Sequence, residues 1–288
     1  MILWRCAVMN ISIELIILVL CPFLALLSSG VFRKLFARFQ NRKGPPVIQP
    51  FYDIIKLWGK ERIESDESRN IIFYSGLFIA IIFLIILYLI FFGVIKFEYD
   101  FIVFIYLIVS VEVAVICSAF ASRNIFSYVA SMRELVLMLG YELIIAFSVI
   151  NIISISGVLS ISSVQSMIFS APVSIIFLLF SGLAVLRITP YDTASASTEI
   201  SSGMASEFSG KILMLYLLVE KLKDFMYYLL ISRIIIGWNI YTPLILLGLL
   251  FAYALINASS ARYNFMLSAK KLFIAAVLSL INIGVIGL

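Results

Sequence analysis

Apolar residues recur in long runs along this chain, separated by short polar intervals. Eight runs, at about 11–31, 71–94, 101–121, 135–155, 172–189, 211–231, 240–258 and 270–287, are long enough to cross a hydrocarbon core. Each predicts a membrane-spanning helix. A further helix is expected between the first two spans. Gly44-Pro45-Pro46 breaks the backbone, and Pro50 can then open a helix. After it, Phe51, Ile54, Ile55 and Trp58 fall at i, i+3, i+4 and i+7, while Asp53, Lys56 and Lys60 take other faces. Such a stripe suits a helix lying in the membrane interface, either as a plain surface anchor or as a functional element.

Composition fixes the class. Hydrophobic residues make up 63% of the 288 and charged residues 13%. The expected fold is an all-α polytopic protein of the cell membrane: a single integral membrane domain over residues 1–288, with loops 32–70 and 187–211. Arg5 is the only base ahead of the first span and no small-residue cleavage site follows it, so that span reads as a retained helix. One set of loops holds Arg33, Lys34, Arg38, Arg42, Lys43, Lys56, Lys60, Arg62, Arg69, Arg123, Arg133, Arg187, Lys211, Arg262, Lys270 and Lys271. The opposite side has Arg5, Lys96 and Arg233. This asymmetry predicts cytoplasmic 32–70 and 187–211 loops and both termini outside. The net charge of +5 follows from that topology and does not mark a nucleic-acid binder.

Cys6, Cys21 and Cys117 lie far apart, without a CxxC pair, and the chain has no histidine. That donor set argues against an iron–sulfur or zinc site within the chain, so any electrons would be carried by another subunit.

Charges inside the spans point toward transport. Glu112 lies mid-span in the third run, Glu142 in the first turns of the fourth, and Glu220, Lys221, Lys223 and Asp224 share the sixth. An unpaired mid-bilayer charge costs about 2.5–3.5 kcal/mol, so four in one helix would cost roughly 10 kcal/mol. Pairing within the sixth span is therefore expected, Lys223 with Glu220 one turn away and Lys221 with Asp224. The group reads either as a salt-bridge cluster that fixes packing or as a protonatable relay in a hydrated seam. Ser110, Ser118 and Tyr141 are the plausible neighbours of such a relay, and Glu14 reads as interfacial.

The connection after the fifth span is acidic. Asp192, Glu199 and Glu207 lie there with no base between Arg187 and Lys211, and Pro190, Gly203 and Gly210 punctuate it. Asp192 and Glu199, seven residues apart, would share one face of a helix. A solvated loop could have the same composition.

Three co-linear stretches carry a family resemblance. Arg38-Phe-Gln-Asn-Arg-Lys-Gly-Pro-Pro46 with Gln49-Pro50-Phe-Tyr-Asp53-Ile-Ile-Lys56-Leu-Trp-Gly-Lys60-Glu61 is the first. Arg133-Glu-Leu-Val-Leu-Met-Leu-Gly-Tyr-Glu142 is the second, and Tyr191-Asp192…Glu199…Gly203…Glu207-Phe-Ser-Gly210 the third. Together they resemble the proximal eight-helix membrane subunit of respiratory complex I and its relatives. Those relatives include energy-converting membrane-bound nickel–iron hydrogenases, formate hydrogenlyase and membrane-bound sulfane reductases.

The resemblance implies a non-catalytic subunit that docks a soluble redox module and couples electron transfer to H⁺ or Na⁺ translocation. Iron–sulfur clusters, and a nickel–iron centre in the hydrogenase branch, would sit in soluble partners on the cytoplasmic side. Antiporter-like membrane subunits would be neighbours in the bilayer. The implied ion pathway is Glu112, Glu142, Asp192, Glu199, Glu207, Glu220, Lys223 and Asp224. The implied docking or cavity residues are Arg38, Arg42, Lys43, Asp53, Lys56 and Arg133.

The sequence departs from the family at Ser195 and Ser197, where acids are usual, and at Thr193-Ala194, where Leu-Pro is usual. A less negative loop, with Arg133-Glu134-Leu135, points to the hydrogenase or sulfane-reductase branch over a quinone-binding subunit of an NADH or F420H2:quinone oxidoreductase. A transporter unrelated to redox chemistry would favour an internal repeat, and the two halves show none. A purely structural anchor would not need acids in several spans.

Overall fold

The computed structural model describes residues 2–61, 71–122, 124–161, 166–195, 197–201, 203–237, 239 and 241–286. Side chains are described from residue 19 to 283 within these ranges, apart from 197 and 198. Arg62, Arg69 and Arg123, and the side chains of Arg5, Glu14 and Ser197, lie outside the described residues.

In chain order the helices are α1 Ile2–Phe39, α2 Gln49–Trp58, α3 Ile71–Phe91, α4 Asp100–Phe120 and α5 Ile125–Ser156, then α6 Pro172–Val185, α7 Ser197–Ile200, α8 Gly210–Ile236, α9 Thr242–Ser259 and α10 Phe265–Ile286. A 3₁₀ turn, Gly203–Glu207, precedes α8. The eight apolar runs each coincide with a helix of this set, and the stripe after Pro50 forms α2. The protein is a polytopic all-α membrane protein, with no strand among the described residues.

Three of the boundaries that differ from the sequence reading move charged residues. Helix α1 runs on to Phe39, so Arg33, Lys34 and Arg38 are helical and not part of a loop. Helix α5 begins at Ile125, ten residues before the apolar run, because Asn124 caps it: the Asn124 side chain accepts from Phe126 N at 2.8 Å. Arg133 and Glu134 therefore ride on its third turn. At the opposite end Arg233 is not in a loop; it is buried in the last turn of α8 and donates to Ile161 O at 3.1–3.2 Å.

Helix α8 sits at the centre. It carries too many charges to count among the six helices that, among the described residues, are apolar enough to cross a membrane alone. Instead it packs against α1, α2, α3, α4, α6 and α9, so protein and not lipid surrounds its polar turns. Helix α6, 14 residues and about 21 Å long, falls short of a full crossing. Irregular chain completes it at both ends. Met167 N donates to Ile234 O at 3.0 Å on one side, and Thr189 N to the Asn257 side chain at 3.1 Å on the other.

The interfacial helix α2 is tied down from three sides. Arg33 of α1 meets Asp53 at 3.0 Å, Phe23 stacks on Phe51 with centroids 6.2 Å apart, and Pro50 is buried. Ile55 and Trp58 stay exposed, with the Lys211 ammonium of α8 5.8 Å from the Trp58 ring centroid. Gly30 is needed for this arrangement, since a Cβ there would lie 1.9 Å from Val47 O. At Gly210, with φ +51°, a Cβ would meet Glu61 O at 2.8 Å, so α8 starts flush against the chain leaving α2.

Candidate functional site: a guanidinium shared by three helices

Arg187 ends the α6 crossing in a left-handed conformation, φ +50°, which is costly for a residue with a β-carbon. Its ion pairs hold it there. Nη2 contacts Glu112 of α4 at 2.6 Å, Nε contacts Glu134 of α5 at 3.3 Å, and Nη1 pairs with Glu220 of α8. Nη1 also donates to the Tyr216 hydroxyl at 3.2 Å, and that hydroxyl donates to Glu220 at 2.5 Å. The second oxygen of Glu112 accepts from Lys223 of α8. Lys221 and Asp224, one turn apart, pair at 3.3 Å beside this group.

The expected pair of Lys223 with Glu220 does not form. The two side chains leave α8 in different directions, Lys223 to Glu112 and Glu220 to Arg187, because each finds an oppositely charged partner outside α8. The expected Lys221–Asp224 pair is present. Three cations, Arg187, Lys221 and Lys223, thus face four carboxylates, Glu112, Glu134, Glu220 and Asp224. The carboxylates outnumber the cations by one in a low-dielectric interior, where net charge is costly.

A cavity of about 290 Å³ opens onto the cluster, lined by Arg187, Tyr216, Glu220, Lys221, Lys223 and Asp224 together with Leu186, Ser195, Ala205 and Leu217. Two smaller cavities, about 70 and 20 Å³, continue past Lys221 toward Ser28, Ser29 and Phe32 of α1 and toward Arg33, Pro50 and Asp53.

Glu142 lies two turns deeper on α5 than Glu134, with Tyr141 buried next to it, and its Oε1 is buried with no partner among the described residues. The Ser110 hydroxyl donates to Tyr106 O at 2.7 Å and the Ser118 hydroxyl to Phe73 O at 2.5 Å.

The acidic connection is distributed over separate partners. Asp192 accepts from Arg262 at 2.6 Å and from Ser195. Glu199 pairs with Arg133 at 2.6 Å, and Arg133 also reaches Thr193 O at 3.3 Å. Glu207 accepts from the Asn124 amide. Asp192 and Glu199 do not share a helix face, since α7 spans only Ser197–Ile200 and turns precede it. Arg38, Arg42, Lys43 and Lys56 are exposed, whereas Asp53 is held by Arg33 and, at 3.1 Å, by Gln49.

Sequence reasoning left Arg187, Glu134 and Tyr216 out of the site. Glu134 was visible as an acid on the same face as Met138, Tyr141 and Ile145, at the helical spacing of a buried stripe.

Comparison with known proteins gives a consistent result. A family model described as NADH dehydrogenase matches residues 11–286. The NADH-ubiquinone oxidoreductase chain 1 of Mycosarcoma maydis is 29% identical over 228 residues, 71% of this chain and 68% of that one. The H-type membrane component of the NADH-quinone oxidoreductase of Paramagnetospirillum magneticum is 27% identical over 238 residues, 75% of this chain and 68% of that one. In fold, a chain of the membrane-bound sulfane sulfur reductase, an archaeal respiratory membrane complex, superposes with a TM-score of 0.85 at 21% identity, covering 95% of this chain and 99% of the other. An all-helical bundle around a central charged helix, with a matching family model over nearly the whole length, leads to one assignment: the chain belongs to the NADH dehydrogenase family, as an H-type membrane component of the complex I kind.

Proposed function

We propose that this protein docks a soluble redox module on its basic face and couples electron transfer there to H⁺ or Na⁺ movement through the membrane domain. The redox centres, iron–sulfur clusters with a nickel–iron centre in the hydrogenase branch, belong to that module. Antiporter-like membrane subunits receive the ion. The basic-side asymmetry supports placing loops 32–70 and 187–211 in the cytoplasm and both termini outside. The whole chain then acts as one integral membrane domain.

One observation carries the reading: Arg187 is bound by glutamates from α4, α5 and α8 at the end of the acidic connection. An electron arriving at a docked cluster favours proton uptake by the nearest carboxylates, Asp192, Glu199 or Glu207. The Arg187 cluster accepts that proton, and Glu142, whose Oε1 has no partner among the described residues, is the next station. Coupling requires an element with two arrangements that both sites bias. Ion pairs to Arg133 and Arg262 give the connection contacts it can exchange.

The test measures ion transport and artificial-carrier activity on the same reconstituted complex. Glu199→Gln and Glu207→Gln are expected to lower transport while carrier activity stays at the wild-type level. Wild-type pumping stoichiometry in both variants would sink the proposal. A second reading, a quinone site, is favoured by the run of cavities from Glu220 to Asp53. A quinone-analogue photolabel on α2 or α8 would select it.

A further inference from the structure

Among the described residues a further cavity lies on the outer flank of the bundle, away from the Arg187 cluster. It is a groove of about 560 Å³ between α6, α9 and α10. Its walls are Ile176, Phe177, Phe180, Leu183, Ile274 and Leu278, side chains that leave an apolar channel open at the surface of the bundle. From Lys271 to Leu278 the α10 wall runs two turns, about 10 Å. The only charged group lining it, among the described residues, is Lys271, whose Nζ lies 3.7 Å from the centroid of the Tyr263 ring. Lys271 has no carboxylate partner among the described residues, whereas its neighbour Arg262 is paired with Asp192. Ser260 and Tyr263 complete the polar end.

A half-buried ammonium at the end of an apolar channel, facing a bilayer, is short of an anion. The channel is long enough for the upper part of a hydrocarbon chain, and basic pockets between membrane helices take anionic headgroups. We infer that this groove binds a membrane lipid with an anionic phosphate headgroup at Lys271 and a hydrocarbon chain along Phe177, Phe180 and Leu278. The bound lipid also braces the segment that carries Arg187. Tyr263 N donates to Pro190 O at 3.1 Å, and Ser260 Oγ donates to Thr189 O at 2.9 Å, so the polar end of the groove and the turn after Arg187 share a hydrogen-bonded wall.

The experiment uses the full chain in mild detergent, mixed with phosphatidylglycerol or phosphatidylcholine of identical acyl chains, and counts retained lipid by native mass spectrometry. Phosphatidylglycerol is expected to be retained in preference. Lys271→Gln should lower its retention about fivefold, the factor one basic residue at a membrane surface contributes. Lys270→Gln, an exposed neighbour outside the groove, should leave it unchanged. Leu278→Trp, at an exposed groove position, should lower retention of both lipids by filling the channel. Excess glycerol phosphate should not displace the lipid, which separates a lipid site from a free-phosphate site. Equal retention of the two lipids by the wild type, or no difference between Lys271→Gln and Lys270→Gln, overturns the inference. So does a protein helix or a quinone tail occupying the groove in the purified complex.

Discussion

Arg187→Met is the most informative single change. The substitution removes a guanidinium whose side chain is 12% exposed and which contacts three carboxylates. The three do not suffer equally. Glu112 keeps Lys223 and Glu220 keeps the Tyr216 hydroxyl, but Glu134, 1% exposed, loses its one direct cation contact among the described residues. Breaking a buried pair from one side costs about 3–5 kcal/mol, because the remaining charge is left uncompensated. Removing that charge as well should recover much of the loss. Arg187→Met with Glu134→Gln is therefore expected to be more stable than Arg187→Met alone, with a coupling of about 1–3 kcal/mol. The assay is reversible unfolding of the full chain in mixed micelles, run on wild type, both single variants and the double. Additive effects, within about 0.5 kcal/mol, would show that Glu134 does not depend on Arg187 and would refute the shared-guanidinium account.

Other expectations follow from the same contacts. Glu199→Gln removes an exposed pair with Arg133, so its effect on stability should stay within about 1 kcal/mol in the same unfolding assay. Reversing Arg38, Arg42 and Lys43 together, all exposed beside the Gly44-Pro45-Pro46 turn, should release the soluble module while the chain stays inserted; unaltered co-purification of the module would contradict the docking proposal. Gly30→Ala forces a Cβ against the Val47 carbonyl and is expected to cost about 1–3 kcal/mol, whereas Gly248→Ala, where a Cβ meets nothing within 4 Å, should be neutral or stabilising.

The apolar runs made the eight bundle helices legible, and Pro50 with its stripe marked α2, because both depend on local periodicity. Partnerships between helices were not legible. Spacing within α8 brings Lys223 beside Glu220, yet Lys223 reaches Glu112, 111 residues earlier in the chain. Helical spacing reports only which side chains share a face; burial decides which face is short of a counter-charge. Arg187 escaped notice for a related reason. As a base at the end of a span it fits the topology rule, and only the fold turns it inward. The Asn124 cap, a local signal, could have moved the start of α5 and placed Glu134 on the helix.

The sequence separation of the Arg187 contacts bears on how the protein is made. Glu112 precedes Arg187 by 75 residues and Lys223 by 111. At about 5–20 residues per second, the ribosome delivers Arg187 roughly 4–15 seconds after Glu112. During that interval Glu112 and Glu134 exist in the growing chain without either cation. A carboxylate without its cations is costly in a bilayer, so the cluster closes late: until Arg187 and α8 have been made, Glu112 and Glu134 lack the bases that answer them in the folded bundle.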